Sequence, residues 1–104
     1  MGIKDVLKEE LINSLRMEKD YAREIEILPR GSLVRKRIKG RYFYYLVLRD
    51  GDKVKTLYKG RLSHARIQQY KAGSKKRRRL KKQLSRIKKQ IRYLRSVLRG
   101  RYNV

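Results

Sequence analysis

The sequence predicts an α+β protein, ordered as one helix, a three-stranded antiparallel meander and a long basic helix. Three observations carry this. Apolar residues recur at helical spacing through residues 3–27. Period-two runs follow over residues 32–59, separated by Lys39-Gly40 and Asp50-Gly51. Leu80, Leu84, Ile87, Ile91, Leu94 and Leu98 then repeat at alternating steps of four and three.

The first helix rests on Ile3, Val6, Leu7, Leu11, Leu15, Ala22 and Ile25, with no Gly or Pro among residues 3–27. Met17 and Glu18 interrupt the stripe. Leu28-Pro29-Arg30-Gly31 ends the helix, because Pro restrains the residue before it and lacks an N–H.

The meander rests on Ser32–Ile38, Arg41–Arg49 and Lys53–Tyr58, all rich in Val, Ile, Tyr and Leu. Lys39-Gly40 and Asp50-Gly51 suit two-residue hairpin turns. That register places Val34, Ile38, Phe43, Tyr45, Val47, Val54 and Tyr58 on one face, the expected core. Arg35, Arg37, Tyr42, Tyr44, Lys53, Lys55 and Lys59 occupy the other, with Leu33, Leu46, Leu48 and Leu57 among them.

Ser63 is the expected N-cap of the last helix. Gly73-Ser74 either bends this helix or divides it in two. A continuous helix over residues 63–98 would extend about 54 Å at 1.5 Å per residue. The heptad seam suits either packing within the chain or a homodimer through Leu80, Leu84, Ile87, Ile91, Leu94 and Leu98. The expectation is a single domain over residues 1–104, with a near-neutral helix (1–30), the meander (31–60) and the basic helix (63–99).

The 104 residues carry 32 Lys+Arg against 9 Asp+Glu, a net charge of +23. The charge is segregated. Residues 1–30 have a net charge of −1, residues 31–52 of +4, and residues 53–104 of +20 with no acid at all. Such a surface suits a polyanion. Lys and Arg neutralise phosphates, Arg reads guanine edges, and Tyr stacks or donates a hydrogen bond. The residues expected to contact nucleic acid are Arg35, Arg37, Tyr42, Tyr44, Lys53, Lys55, Lys59 and the run Lys75, Lys76, Arg77, Arg78, Arg79. Lys75–Arg79 before a leucine heptad superficially resembles a basic-region zipper, but lacks the base-reading Asn and runs for under three heptads.

Enzymatic chemistry finds little support. The chain has no Cys and one His, His64, with no carboxylate near it in sequence. Asp50-Gly51-Asp52 is explained by a hairpin turn. Asp20 and Glu24 share a helix face but lack further acids to complete a metal site. No glycine-spaced phosphate loop is present. No cofactor, metal or small-molecule substrate is expected. No apolar run approaches the roughly 20 residues of a membrane span, and no signal-peptide pattern opens the chain. The expected setting is a reducing cytoplasm, nucleoid-associated if DNA is the partner. The dominance of Glu, Lys and Arg among polar residues is compatible with a thermophilic source.

The segment Gly31-Ser32-Leu33-Val34-Arg35-Lys36-Arg37-Ile38-Lys39-Gly40-Arg41-Tyr42-Phe43-Tyr44-Tyr45-Leu46, continuing through Arg49-Asp50-Gly51-Asp52-Lys53 to Lys59-Gly60, resembles small proteins of archaea and bacteria associated with mobile elements. It is also similar to the N-terminal sheet modules of tyrosine integrases and to segments of some transposases. In those integrase modules a three-stranded sheet followed by a helix grips DNA. The resemblance covers residues 31–60. The acidic helix before it and the long basic helix after it depart from the integrase module, and no recombinase domain is present, so no recombinase activity carries over. What it implies is DNA binding through Arg35, Arg37, Tyr42, Tyr44, Lys53 and Lys55.

The functional expectation is a non-catalytic protein that binds double-stranded DNA, as a regulatory or accessory factor of a mobile element or its host. RNA binding, as in ribosome-associated proteins, is the first alternative. A protein-interaction factor such as an antitoxin or assembly subunit, with its basic helix docked on an acidic partner, is the second.

Overall fold

Helix α1 spans Ile3–Ile27, strands β1 (Ser32–Ile38), β2 (Arg41–Asp50) and β3 (Lys53–Gly60) follow, and helix α2 spans His64–Ser96 before a π-helical turn at Val97–Arg101. These come from a computed structural model that describes residues 2–101. The α+β architecture is the one the sequence predicts. The chain groups into two compact units, Leu28–Arg78 and the pair Met1–Ile27 with Arg79–Val104.

The second of these units is a helix pair. Leu80, Ile87, Ile91, Leu94 and Val97 keep 3–9% of their surface exposed. Leu84 and Leu98 are half-buried. The heptad seam is therefore covered within one chain, by α1, rather than left open for a second copy. On α1 the inward stripe runs through Leu7, Leu11, Ser14, Leu15, Glu18, Tyr21, Ala22 and Ile25. Ile3 and Val6, expected in that stripe, are exposed. Ser14, 1% exposed, takes a place that an apolar count passes over. Among the described residues no ion pair joins the acids of α1 to the bases of α2; the one recorded is Lys55–Asp50.

In the Leu28–Arg78 unit the sheet order is β1-β2-β3. The first hairpin has the expected register, with Ile38 opposite Arg41 and Val34 opposite Tyr45. Lys39 (φ 51) and Gly40 (φ 79) both take positive φ, as a type I′ turn requires. The second hairpin differs. Asp50 pairs with Lys53, so the turn is Gly51-Asp52 rather than Asp50-Gly51. Gly51 (φ 62) holds the first central position, where a type II′ turn needs positive φ. The register slips by two, so Val47 faces Thr56 rather than Val54, and Tyr58 faces Tyr45 rather than Phe43. A slip of two keeps every side chain on its face. A bulge between Tyr44 and Tyr45 then brings Gly60 opposite Tyr44.

The one fully buried side chain of the sheet, Leu46, lies on the face opposite to the expected core. Leu46 is 7% exposed, whereas Val54 is 62% and Tyr58 61% exposed on the face assigned to the core. Leu33, Leu46 and Leu57 lie side by side across the three strands. Within that row Leu46 is buried, Leu33 half-buried and Leu57 42% exposed. Leu46 has no polar atom to satisfy, whereas a buried tyrosine needs a partner for its hydroxyl. The chain entering β1 closes over the leucines. A Cβ on Gly31 (φ +98) would stand 2.7 Å from Leu48 Cδ2 and 2.9 Å from the Val47 carbonyl oxygen.

Helix α2 starts at its predicted cap. The Arg66 amide donates to Ser63 Oγ at 3.2 Å. It runs through Gly73-Ser74 without a break. Gly73 faces Pro29, with a Cβ there lying 3.7 Å from the proline ring.

Candidate nucleic-acid interface

Alternation along β1 puts Arg35 and Arg37 on one face and Lys36 on the other. The ladder sets Arg37 opposite Tyr42 and Arg35 opposite Tyr44. Arg35 nonetheless leans diagonally. Its Cζ lies 4.2 Å from the Tyr42 ring centroid. The Arg37 Cζ lies 5.9 Å from the same centroid. One tyrosine thus holds two guanidinium groups, each contact contributing about 0.5–1 kcal/mol at an exposed site. Neither guanidinium hydrogen-bonds within the described residues, so their donor edges face solvent-borne acceptors.

Tyr44 continues this cluster. With Gly40, Arg41, Tyr42, Arg61 and Leu62 it lines an open cleft of ≈290 Å³. Arg41 and Arg61 were not singled out from sequence. Arg41 reads as a strand residue at a turn, and Arg61 follows a glycine in a connection without periodicity. The cleft brings them together beside Tyr44, where the ladder shifts register and Gly60 faces Tyr44.

The remaining expected contacts are not all gathered there. Lys53 and Lys55 share the face but lie at the opposite end of the sheet, beyond the row Leu33, Leu46 and Leu57. Lys55 Nζ is 3.0 Å from Asp50 Oδ2, with both side chains more than half exposed. Such a pair contributes about 0–1 kcal/mol, yet it lowers the charge that Lys55 offers a phosphate. Lys59 lies at the bulge and is exposed. Lys75, Lys76 and Arg78 are exposed on α2, within the same compact unit as the sheet. Arg77 is half-buried, and its Nε is buried without a hydrogen-bond partner. Arg79, exposed, opens the part of α2 that packs with α1.

Residues 28–78 hold 17 Lys+Arg and 2 Asp+Glu, a net charge of +15 on 51 residues. The two acids, Asp50 and Asp52, stand at one hairpin end. The rest of the unit has no carboxylate to neutralise its cations internally. His64 is exposed at the start of α2. No group of three or more His, Asp or Glu side chains converges among the described residues. Among them no helix is long and apolar enough to cross a membrane.

Compared with known protein families, curated proteins and solved structures, this chain matches none.

Proposed function

We propose that this chain is a non-catalytic nucleic-acid-binding protein that grips double-stranded DNA, as an accessory or regulatory factor of a mobile element or its host. The observation that carries the reading is the segregation of charge in residues 28–78, where 17 bases face 2 acids confined to one turn. Self-repulsion of that size is offset when phosphates replace the missing carboxylates.

The β1–β2 hairpin supplies the contact element. A two-stranded ribbon fits the B-DNA major groove. The tip of this ribbon carries Arg37, Lys39 and Arg41, with Arg35 and Tyr42 behind them. Lys39 and Arg41 approach phosphates, while Arg35 and Arg37 have the fork geometry that reads guanine. Lys53, Lys55, Lys59 and the α2 run Lys75–Arg78 extend the contact to the backbone. A homodimer through the heptad seam would require α1 to leave it, so the single chain is the binding unit.

A salt titration of duplex affinity tests this. Each phosphate neutralised adds about −0.9 to the slope of log K against log salt, and a slope for six to ten contacts is expected. A flat dependence between 50 and 200 mM salt rejects the phosphate mechanism. Tighter binding to structured RNA than to duplex DNA in direct competition replaces DNA with RNA as the partner.

A further inference from the structure

The face of the sheet away from Leu46 has a chemistry of its own. Val34, Lys36 and Ile38 of β1, Phe43, Tyr45, Val47 and Arg49 of β2, and Val54, Thr56 and Tyr58 of β3 share it by register. Tyr58 is 61% exposed, and Val34, Ile38 and Val54 are exposed beside it. The Tyr45 and Tyr58 rings lie 5.2 Å apart between centroids, tilted by 56°. Phe43 and Tyr58 lie 6.4 Å apart at 31°. Lys36 Nζ stands 5.0 Å from the Tyr45 centroid. Ile38, Phe43, Tyr45 and Tyr58 line an open cleft of ≈430 Å³.

An exposed Tyr58 ring flanked by the half-buried Phe43 and Tyr45 rings, on a strongly basic unit, calls for an occupant that is flat, apolar on its faces and anionic at its edges. Unpaired nucleobases on a phosphate backbone have that combination. Every base presents a π-face, and single-stranded nucleic acids are held by aromatic side chains beside a positively charged track. Bases within a duplex are stacked on one another and cannot lie against these rings. An acidic protein segment would satisfy the cations but not the rings. By register the face contains Lys36, Arg41 and Arg49 and no acid.

We infer that this aromatic face is a stacking platform for the unpaired bases of a single-stranded nucleic acid, with Tyr58 and Tyr45 taking bases and Lys36 and Arg49 the adjoining phosphates. The platform lies opposite the face bearing Arg35, Arg37 and Tyr42. A duplex on one face and a single strand on the other would make a duplex with an unpaired flank the preferred target. The platform itself does not depend on the duplex reading.

The test uses the full chain and labelled oligothymidylate, oligouridylate of the same length and a blunt duplex, all at one salt concentration. Tyr58→Ala is expected to weaken oligothymidylate binding about 5- to 160-fold, the range that loss of one base–aromatic stack produces. Tyr58→Phe, which keeps the ring, retains wild-type affinity. Blunt-duplex affinity stays within twofold for both variants. Arg35→Ala with Arg37→Ala shows the converse pattern, with duplex affinity the more affected. Tyr58 is exposed, so an unchanged thermal midpoint accompanies these results.

The proposal is overturned if wild-type protein fails to bind either single strand, or if Tyr58→Ala binds both as wild type does. Equal losses on single strand and duplex also overturn it, as does the same Tyr58 dependence with polyglutamate. Tyr58-dependent binding of either strand supports the platform, whichever of the two binds more tightly. Tyr58-dependent single-strand binding without duplex binding would reject the duplex reading and leave this one standing.

Discussion

Ser14 Oγ accepts a hydrogen bond from Gln90 Nε2 at 3.2 Å, joining α1 to α2 at a point where Ser14 is 1% exposed. This is the one polar link the described residues show in the helix pair, whose stability otherwise comes from apolar burial. Its value lies as much in position as in energy. A part-buried hydrogen bond between one turn of α1 and one turn of α2 helps fix which turns meet.

Ser14→Ala should therefore cost only about 0.5–1.5 kcal/mol, since the Gln90 amide is exposed enough to exchange its lost partner for water. Ser14→Leu should cost more, about 1–3 kcal/mol, because the added atoms have no space at the contact. Thermal or urea denaturation of the two variants measures both. A Leu variant as stable as the Ala variant would mean that Ser14 is not enclosed by its neighbours.

The element types were legible in the sequence because their signals are local. Residues 3–27, the Lys39-Gly40 turn and Ser63 each declare themselves within a few positions. Two things were not local. The second turn was ambiguous because Asp50-Gly51 and Gly51-Asp52 are both good turn pairs, and the choice between them depends on Asp50 joining the ladder opposite Lys53. The buried face was misread because both faces of the meander carry apolar residues. Counting them favours the Val, Ile and aromatic face, whereas the one side chain fully buried is Leu46 on the other face, which has no hydroxyl to satisfy. The Arg35–Tyr42–Arg37 cluster followed from the first register. The cleft with Arg41 and Arg61 did not, because Arg61 lies outside the strands and its place beside Tyr44 is not set by either hairpin register.

Gly31 tests that closure over the leucines. Its φ of +98 is costly for any residue with a Cβ, and that Cβ would meet both a Leu48 methyl group and the Val47 carbonyl oxygen. Backbone strain alone costs about 1–3 kcal/mol, and the contact with backbone adds to it. Gly31→Ala should be clearly destabilising in denaturation. Gly40→Ala, with open space around its Cβ, should lose only the strain. Equal losses at the two positions would contradict the packing at Gly31.

Leu46 and Tyr58 distinguish the two faces of the sheet. Leu46→Ala removes a buried side chain and should cost about 2–5 kcal/mol. Tyr58→Ala removes an exposed one and should change stability by about 0.5 kcal/mol or less. Chemical denaturation monitored by circular dichroism compares them directly. A larger loss at Tyr58 would restore the core to the aromatic face.

The seam of α2 makes a prediction about association. Ile91 is 3% exposed against α1. Ile91→Asp buries an unpaired carboxylate there and should separate the helices rather than tolerate it. The freed faces are apolar, so the variant should self-associate or aggregate at concentrations where the wild-type chain is monomeric. Sedimentation velocity reads this. A wild-type dimer that Ile91→Asp converts to a monomer would instead assign the seam to an interface between copies.

The last prediction concerns the basic hairpin, and it separates specific contacts from bulk charge. Arg35 and Arg37 are two of 17 bases in residues 28–78, so replacing both leaves a net charge of +13 and the general attraction for a polyanion largely intact. If they meet phosphates, the double variant Arg35→Ala with Arg37→Ala should lower the magnitude of the salt slope by about 1.8, at 0.9 per phosphate. If they read guanine, the slope should change little while discrimination between duplex sequences falls, each lost bidentate contact costing about 1–3 kcal/mol. Tyr42→Leu should reproduce part of either effect, because the ring that both guanidiniums approach is gone. As a comparison on the other unit, Lys88→Ala with Arg92→Ala removes the same charge from the C-terminal half of α2. An equal effect from that pair would show that only total charge matters, and would remove the hairpin from the binding surface.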